Sequence, residues 1–212
     1  MNDELFRANR FDLISRLADD LAHEIKNPLN AIVINLEVLK VRLGRGDADA
    51  ALDRAAVIEE ETRRLHALID RMLQLLRQTR DDGGSLALDQ VLDEVLPLFA
   101  AQMRLAHNEF SCEGGAEVYV AVSRDLFKFA LLNVLTAVHD RLGERNGRIV
   151  LQCETDDATV TLSIHPIARA SMQGSDASID DAVGIAGALL AHAGGTVSAA
   201  GDGVTIVLPR GT

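Results

Sequence analysis

Tryptophan is absent from the 212 residues, and aromatic side chains of any kind make up only 3%. With one tyrosine and six phenylalanines, the composition predicts a core built from Leu, Val, Ile and Ala. The two cysteines, Cys112 and Cys153, are too few for a disulfide framework and read as buried free thiols. Longer apolar stretches such as Ala31–Leu39 are broken by Asn35 and Glu37, and none approaches the ~20 residues of a membrane span. Met1-Asn2-Asp3-Glu4 is acidic where a secretory signal would be basic. A cytoplasmic protein with no membrane partner is expected. Basic charge is scarce as well, with 21 Lys and Arg against 32 Asp and Glu. The deficit lies in residues 81–212, with a net of −10 against −1 for residues 1–80. Neither half supplies the basic face a nucleic-acid partner needs. The acidic excess reads as a solvated, solubilising surface.

What is present falls into two halves of different periodicity. Apolar residues from about Phe11 to Leu43 recur at helical spacing: Leu13, Leu17, Leu21, Ile25, Leu29, Ile32, Leu36 and Leu39. Gly44-Arg45-Gly46 ends the pattern and Asp47 is placed to cap a second helix. That helix carries Ala51, Ala55, Ile58, Leu65, Leu68, Ile69, Met72, Leu75 and Leu76. A lone pair of such long helices would leave an apolar stripe wet. Dimerisation into a four-helix bundle covers it. Asp81-Asp82-Gly83-Gly84-Ser85 reads as a linker, placing the domains at 1–80 and 81–212.

Beyond the linker, helices are expected at about Leu88–Ala106, Ser123–Leu142 and Asp181–Ala193. Strands are expected at Glu109–Cys112, Val118–Val122, Arg148–Glu154, Thr159–Ile164, Thr196–Ala199 and Val204–Leu208. Thr155-Asp156-Asp157 reads as a turn and Pro166–Ser178 as a loop. The fold class is therefore two-domain, α then α+β, ending in a sandwich with helices over one face of a mixed sheet.

The chemistry concentrates in Leu21-Ala22-His23-Glu24-Ile25-Lys26-Asn27-Pro28-Leu29-Asn30. His23 and Asn27 are four apart, hence one turn apart on one helix face. Leu21, Ile25 and Leu29 belong to the apolar stripe, which directs His23 to the rim of the bundle. A reachable imidazole is a nucleophile near neutral pH. Glu24 is placed to hydrogen-bond one ring nitrogen and sharpen the other. Asn27 has an amide donor and an acceptor with which to hold a water. Pro28 has no N–H for the Glu24 carbonyl, so a bend is expected there. His66, His107, His139 and His192 read as surface or packing residues, and no zinc-type spacing is present.

His23-Glu24-Ile25-Lys26-Asn27-Pro28 on a long amphipathic pair resembles the H box of the HisKA-type sensor histidine kinases. The resemblance covers residues of roughly 10–80, with Leu21–Ile32 matching nearly position for position. It implies that His23 is the phosphoacceptor, Glu24 the assisting base, and Asn27 the residue that positions water for phosphatase action on a response regulator. Residues 81–212 resemble, more loosely, the Bergerat-type ATP-binding domain of those kinases. Ser123-Arg124-Asp125-Leu126 through Leu131-Leu132-Asn133-Val134-Leu135 is similar to the start of the N box. Gly184-Ile185-Ala186-Gly187 through Gly194-Gly195-Thr196-Val197 is similar to the last glycine box and the strand after it, and Val204–Pro209 to the closing strand.

The departures matter more. Ala137 stands where the family has a second Asn that coordinates magnesium, and a methyl offers no ligand. Ile164-His165-Pro166-Ile167-Ala168 has neither the adenine-binding Asp nor the glycines of the family's turn. Ala182-Val183-Gly184-Ile185 lacks a phosphate cradle, and the intervening lid reads as short. A degenerate domain that does not bind ATP is expected, with any magnesium supplied by a partner. This resembles the two-domain bacterial histidine phosphotransferases. No sensor segment is read ahead of the first helix, with only about nine residues before it. The resemblance implies a homodimeric carrier of phosphoryl groups between response regulator receiver domains, through His23. Two alternatives stay open: a phosphatase or sequestering module using Asn27, and an autokinase with a divergent ATP site.

Overall fold

A computed structural model describes residues 3–76, 85–114, 118–142, 147–167 and 176–211, with side chains of the first helix described from Ala22 onward. The chain divides into two compact units, Ser15–Arg77 and Gln78–Thr212 with Met1–Ile14. α1 (Asp3–Gly44), from Ser15 onward, and α2 (Ala48–Leu76) form the helical hairpin of the first unit. α1 starts well before the expected Phe11. Its first residues contain no Gly or Pro to stop it and several good helix formers. It also runs on through Pro28.

The reversal between the helices is set locally. Gly46 takes φ +73°, a region open to glycine at no steric cost. Its N–H donates to the Leu43 carbonyl at 3.0 Å, and the Asp47 N–H to that of Arg42 at 3.1 Å. These bonds satisfy carbonyls the last turn leaves open. Asp47 caps α2 as its position predicts, its Oδ1 accepting from the Ala50 N–H at 3.3 Å. Across the hairpin Arg54 donates to Asn35 Oδ1 at 3.4 Å. Ala51 and Leu68 are buried in this unit, whereas Leu29, Val33, Ile34, Leu36, Ile69 and Leu73 are exposed. Ala55, assigned to the stripe by spacing, is exposed too. Leu13, Leu17, Leu21, Leu75 and Leu76 lie outside the described side chains.

The second unit opens with β1 (Leu86–Ala87), a strand the sequence pattern does not predict, followed by α3 (Leu88–Leu105). β2 (Glu109–Gly114) and β3 (Tyr119–Val120) lead into α4 (Arg124–Leu142). β4 (Arg148–Thr155) and β5 (Thr159–Ile167) precede α5 (Asp176–Leu190) and a 3-10 turn at Ala191–Ala193. β6 (Thr196–Ala200) and β7 (Gly203–Pro209) close the chain. The main sheet has the order β2-β4-β5-β7-β6, with β2 parallel to β4 and every other pairing antiparallel. β1 pairs separately with β3, Leu86 opposite Val120.

Burial alternates along the central strands. Val160, Leu162 and Ile164 of β5 and Val204, Ile206 and Leu208 of β7 are buried, while Thr161, Ser163 and Thr205 are not. α3, α4 and α5 pack against the sheet, consistent with helices on one face and a polar face opposite. Three phenylalanines add to the aliphatic core that the composition predicts, while Tyr119 is exposed. Phe99, Phe127 and Phe129 are among the fully buried side chains, and Phe99 meets Phe110 edge-on at 5.2 Å. Cys112 also departs from expectation, being exposed and free, while free Cys153 is half-buried. Its strand, β2, is a sheet edge with one neighbour.

Two other boundaries move. β5 continues past Ile164 to Ile167, and α5 begins at Asp176 rather than Asp181. The expected loop therefore loses both ends, and residues 168–175 lie outside the described set, as do residues 81–84 of the linker. The β4–β5 turn is held by Asp156, whose carboxylate accepts from the Ala158 and Thr159 N–H groups and the Thr159 hydroxyl. Those bonds hold its pKa below the usual carboxylate value. A lowered folded-state pKa stabilises above the unfolded value and is lost as pH falls through the folded one. The melting temperatures of wild type and Asp156→Ala should therefore differ at neutral pH and converge in acid.

Candidate functional site

Consecutive residues of a helix are about 100° apart, so side chains four apart form rows along it. On α1 Glu24 and Pro28 form a buried row, and His23 and Asn27 the neighbouring exposed one. Lys26 and Asn30 are exposed as well. The structure thus brings the predicted imidazole and amide together, one turn apart and open to a partner. Such a row can present a nucleophile beside a hydrogen-bonding group without moving the backbone.

Glu24 is positioned differently from the two. It is 5% exposed, turned toward α2, with Oε2 3.9 Å from Arg64 Nη2. The hairpin seam runs through Glu24 and Pro28, while Ile25 is half-buried and Leu29 exposed. The apolar stripe is wider than one helix–helix contact, so its spacing alone does not show which edge meets α2. Sequence reasoning missed Arg64. Its place follows only from the hairpin register: Arg54 meets Asn35, and Arg64 lies about as far beyond Arg54 as Glu24 lies before Asn35.

In the second unit, α4 carries the predicted nucleotide-site positions. Asn133 is half-buried and its Nδ2 donates to the Phe129 carbonyl at 2.7 Å, one turn back. Ala137 is buried. His165, Pro166 and Ile167 lie in the sheet, opposite Val150, Ile149 and Arg148 of β4. Gly194 takes φ +73° and ends the helical segment, and the Gly195 N–H donates to the Leu190 carbonyl at 3.1 Å. Among the described residues no group of three or more His, Cys, Asp or Glu side chains is arranged to hold a metal.

The other histidines occupy ordinary places. His66, His107 and His192 are exposed, and His139 packs edge-on against Phe99 with ring centroids 6.2 Å apart. Although Cys112 is exposed as a residue, partial desolvation of its thiol, and of that of Cys153, raises both above their usual pKa, which disfavours the reactive thiolate. No helix among the described residues is long and apolar enough to cross a membrane.

Residues 13–80 match the family model of the His Kinase A (phospho-acceptor) domain. The chain is 24% identical over 169 residues to the C4-dicarboxylate transport sensor protein DctB of Rhizobium meliloti, covering 77% of this chain and 27% of that protein. It is 31% identical over 144 residues to the sensory histidine kinase/phosphatase NtrB of the same organism, covering 65% and 35%. The chain therefore spans only about a quarter to a third of those relatives. Among solved structures, histidine kinase ThkA in complex with response regulator protein TrrA matches with a TM-score of 0.49 and 19% identity, covering 99% of this chain and 65% of that one. The isolated catalytic domain of ThkA matches with a TM-score of 0.48 and 18% identity, covering 60% and 94%.

Proposed function

Taking as premise a histidine kinase-like chain with a phospho-acceptor domain over residues 13–80, we propose a homodimeric, cytoplasmic histidine phosphotransferase that serves response regulator receivers. The observation that carries this reading is the exposed His23–Asn27 row on α1, within the matched domain. An unprotonated His23 ring nitrogen attacks the phosphorus of a receiver's aspartyl phosphate. The P–N bond forms, the P–O bond breaks, and its electron pair returns to the aspartate carboxylate. The reverse step, onto a second receiver, completes a relay. Glu24 contributes a carboxylate on the adjacent row, turned toward α2, and the receiver brings the metal ion.

Magnesium-ATP does not fit the second unit's residues well. Ala137 presents a buried methyl where an oxygen ligand is needed. The stretch His165–Ile167, where a nucleotide turn is expected, is paired along β4. Both features support a carrier that receives its phosphoryl group from a receiver.

The test is a transfer assay with receivers from the same genome, each loaded from radiolabelled acetyl phosphate, beside an ATP-only lane. Label moving onto this chain supports the carrier. Label in the ATP-only lane overturns the reading of Ala137 and His165.

A phosphatase reading has one specific support, the exposed Asn27 one turn beyond His23. Asn27→Ala should slow release of free phosphate by roughly tenfold or more while His23 still takes label. Equal release in the variant excludes Asn27 from hydrolysis.

The homodimer rests on the uncovered apolar residues of the hairpin. Val33 and Ile34 are 58% and 63% exposed, and Leu29, Leu36, Ile69 and Leu73 add to the same unit's exposed apolar surface. A second copy covers it symmetrically. Light scattering should give a dimer mass for the wild type and a monomer mass for Val33→Glu with Leu36→Glu.

A further inference from the structure

Resting on the phosphotransfer reading above, we propose that Arg64 is a positioning residue for Glu24, and through it for His23. Glu24 is a buried carboxylate in a hairpin whose surface is largely open. A carboxylate withdrawn from water needs a compensating charge. Arg64 supplies it from the opposite helix, Nη2 standing 3.9 Å from Glu24 Oε2. Its Nη1 stands 3.9 Å from Glu61 Oε2, one turn earlier on α2. The guanidinium is thus suspended between a carboxylate of its own helix and one of the facing helix.

Both separations exceed hydrogen-bond length, so the contacts act through charge rather than through a fixed fork. They draw the Glu24 carboxylate toward α2 and away from the row that carries His23. The ring is thereby left open to a receiver, with the Glu24 carboxylate kept on the neighbouring row that faces α2. The imidazole gains positive charge as phosphorus is transferred to it, and a fixed carboxylate nearby stabilises that change. Without Arg64 the carboxylate loses the cation that faces it among the described residues. It then seeks water or the exposed face of α1, where it meets an incoming phosphate as a like charge.

Three variants test this in the receiver-to-His23 transfer assay, with receivers loaded from radiolabelled acetyl phosphate. Arg64→Gln should lower the maximal transfer rate roughly 10- to 100-fold with little change in half-saturating receiver concentration. Arg64→Lys should restore most of the rate, because a point charge suffices where no bidentate bond exists. In a Glu24→Gln background the Arg64→Gln change should have little further effect, since its partner is already neutral. Undiminished transfer by Arg64→Gln overturns the positioning role alone. A loss equally severe in the Glu24→Gln background also overturns it, assigning Arg64 to folding or to direct receiver contact. Absence of label on the wild-type chain overturns the phosphotransfer reading, and the role of Arg64 with it.

Discussion

His23→Ala is expected to leave this chain unlabelled by any phosphate-loaded receiver, a loss of at least about 10⁴-fold, as deleting a covalent nucleophile costs elsewhere. A methyl has no lone pair for phosphorus. The neighbouring exposed groups do not replace it: Asn27 offers an amide, and Lys26 a strongly hydrated ammonium. The other histidines lie on α2 or in the second unit. His23 is exposed on a continuous helix, so the substitution to a good helix former leaves the hairpin intact. Unchanged melting and an unchanged dimer mass are the controls. Label transferred to His23→Ala at the wild-type rate would place the acceptor elsewhere and end the relay mechanism proposed here.

The second large effect is on stability, in the unit without His23. Lys128 on α4 is 1% exposed, with Nζ 3.2 Å from Asp125 Oδ1 and 3.9 Å from Glu94 Oε2. Glu94, buried on α3, also bonds Arg124, which reaches Gln90 at 3.0 Å. The four charged residues tie α3 to α4. Removing one member of such a buried set leaves its partner's charge in a poorly solvated place, at a cost of about 3–5 kcal/mol. Glu94→Gln should therefore lower the melting temperature of this unit by on the order of 10–20 °C. Arg63 on α2, paired with Glu59 and Glu60 at 2.6 Å on an open surface, is the contrast. Arg63→Ala should barely move the melt, because exposed pairs gain little over water. A small shift for Glu94→Gln, measured by calorimetry, would mean that water reaches the α3–α4 contact.

Much of the molecule was legible locally. The hairpin, its turn at Gly44–Gly46 and the Asp47 cap follow from spacing and capping chemistry that neighbouring residues complete among themselves. The same holds for the His23–Asn27 row, since four residues along a helix are always one turn apart. Most strands of the sheet were found from alternation, because one face is buried and the other wet.

The rest depended on which elements meet. Glu24 looks from sequence like a partner for the adjacent imidazole, but its contact is with Arg64, forty residues away. That choice belongs to the register of α1 on α2. Glu94, Arg124 and Lys128 read as ordinary solvated charges until α3 and α4 come together and exclude water from them. β1 is too short to carry a periodic signal and exists only because β3 pairs with it. β5 extends through Pro166 because β4 lies alongside, and Cys112 is exposed because β2 is an edge. The sequence by itself determined the helical hairpin and the row that presents His23. Tertiary structure alone decided which charges are buried and where Glu24 turns, because desolvation and pairing depend on distant segments that no local pattern specifies.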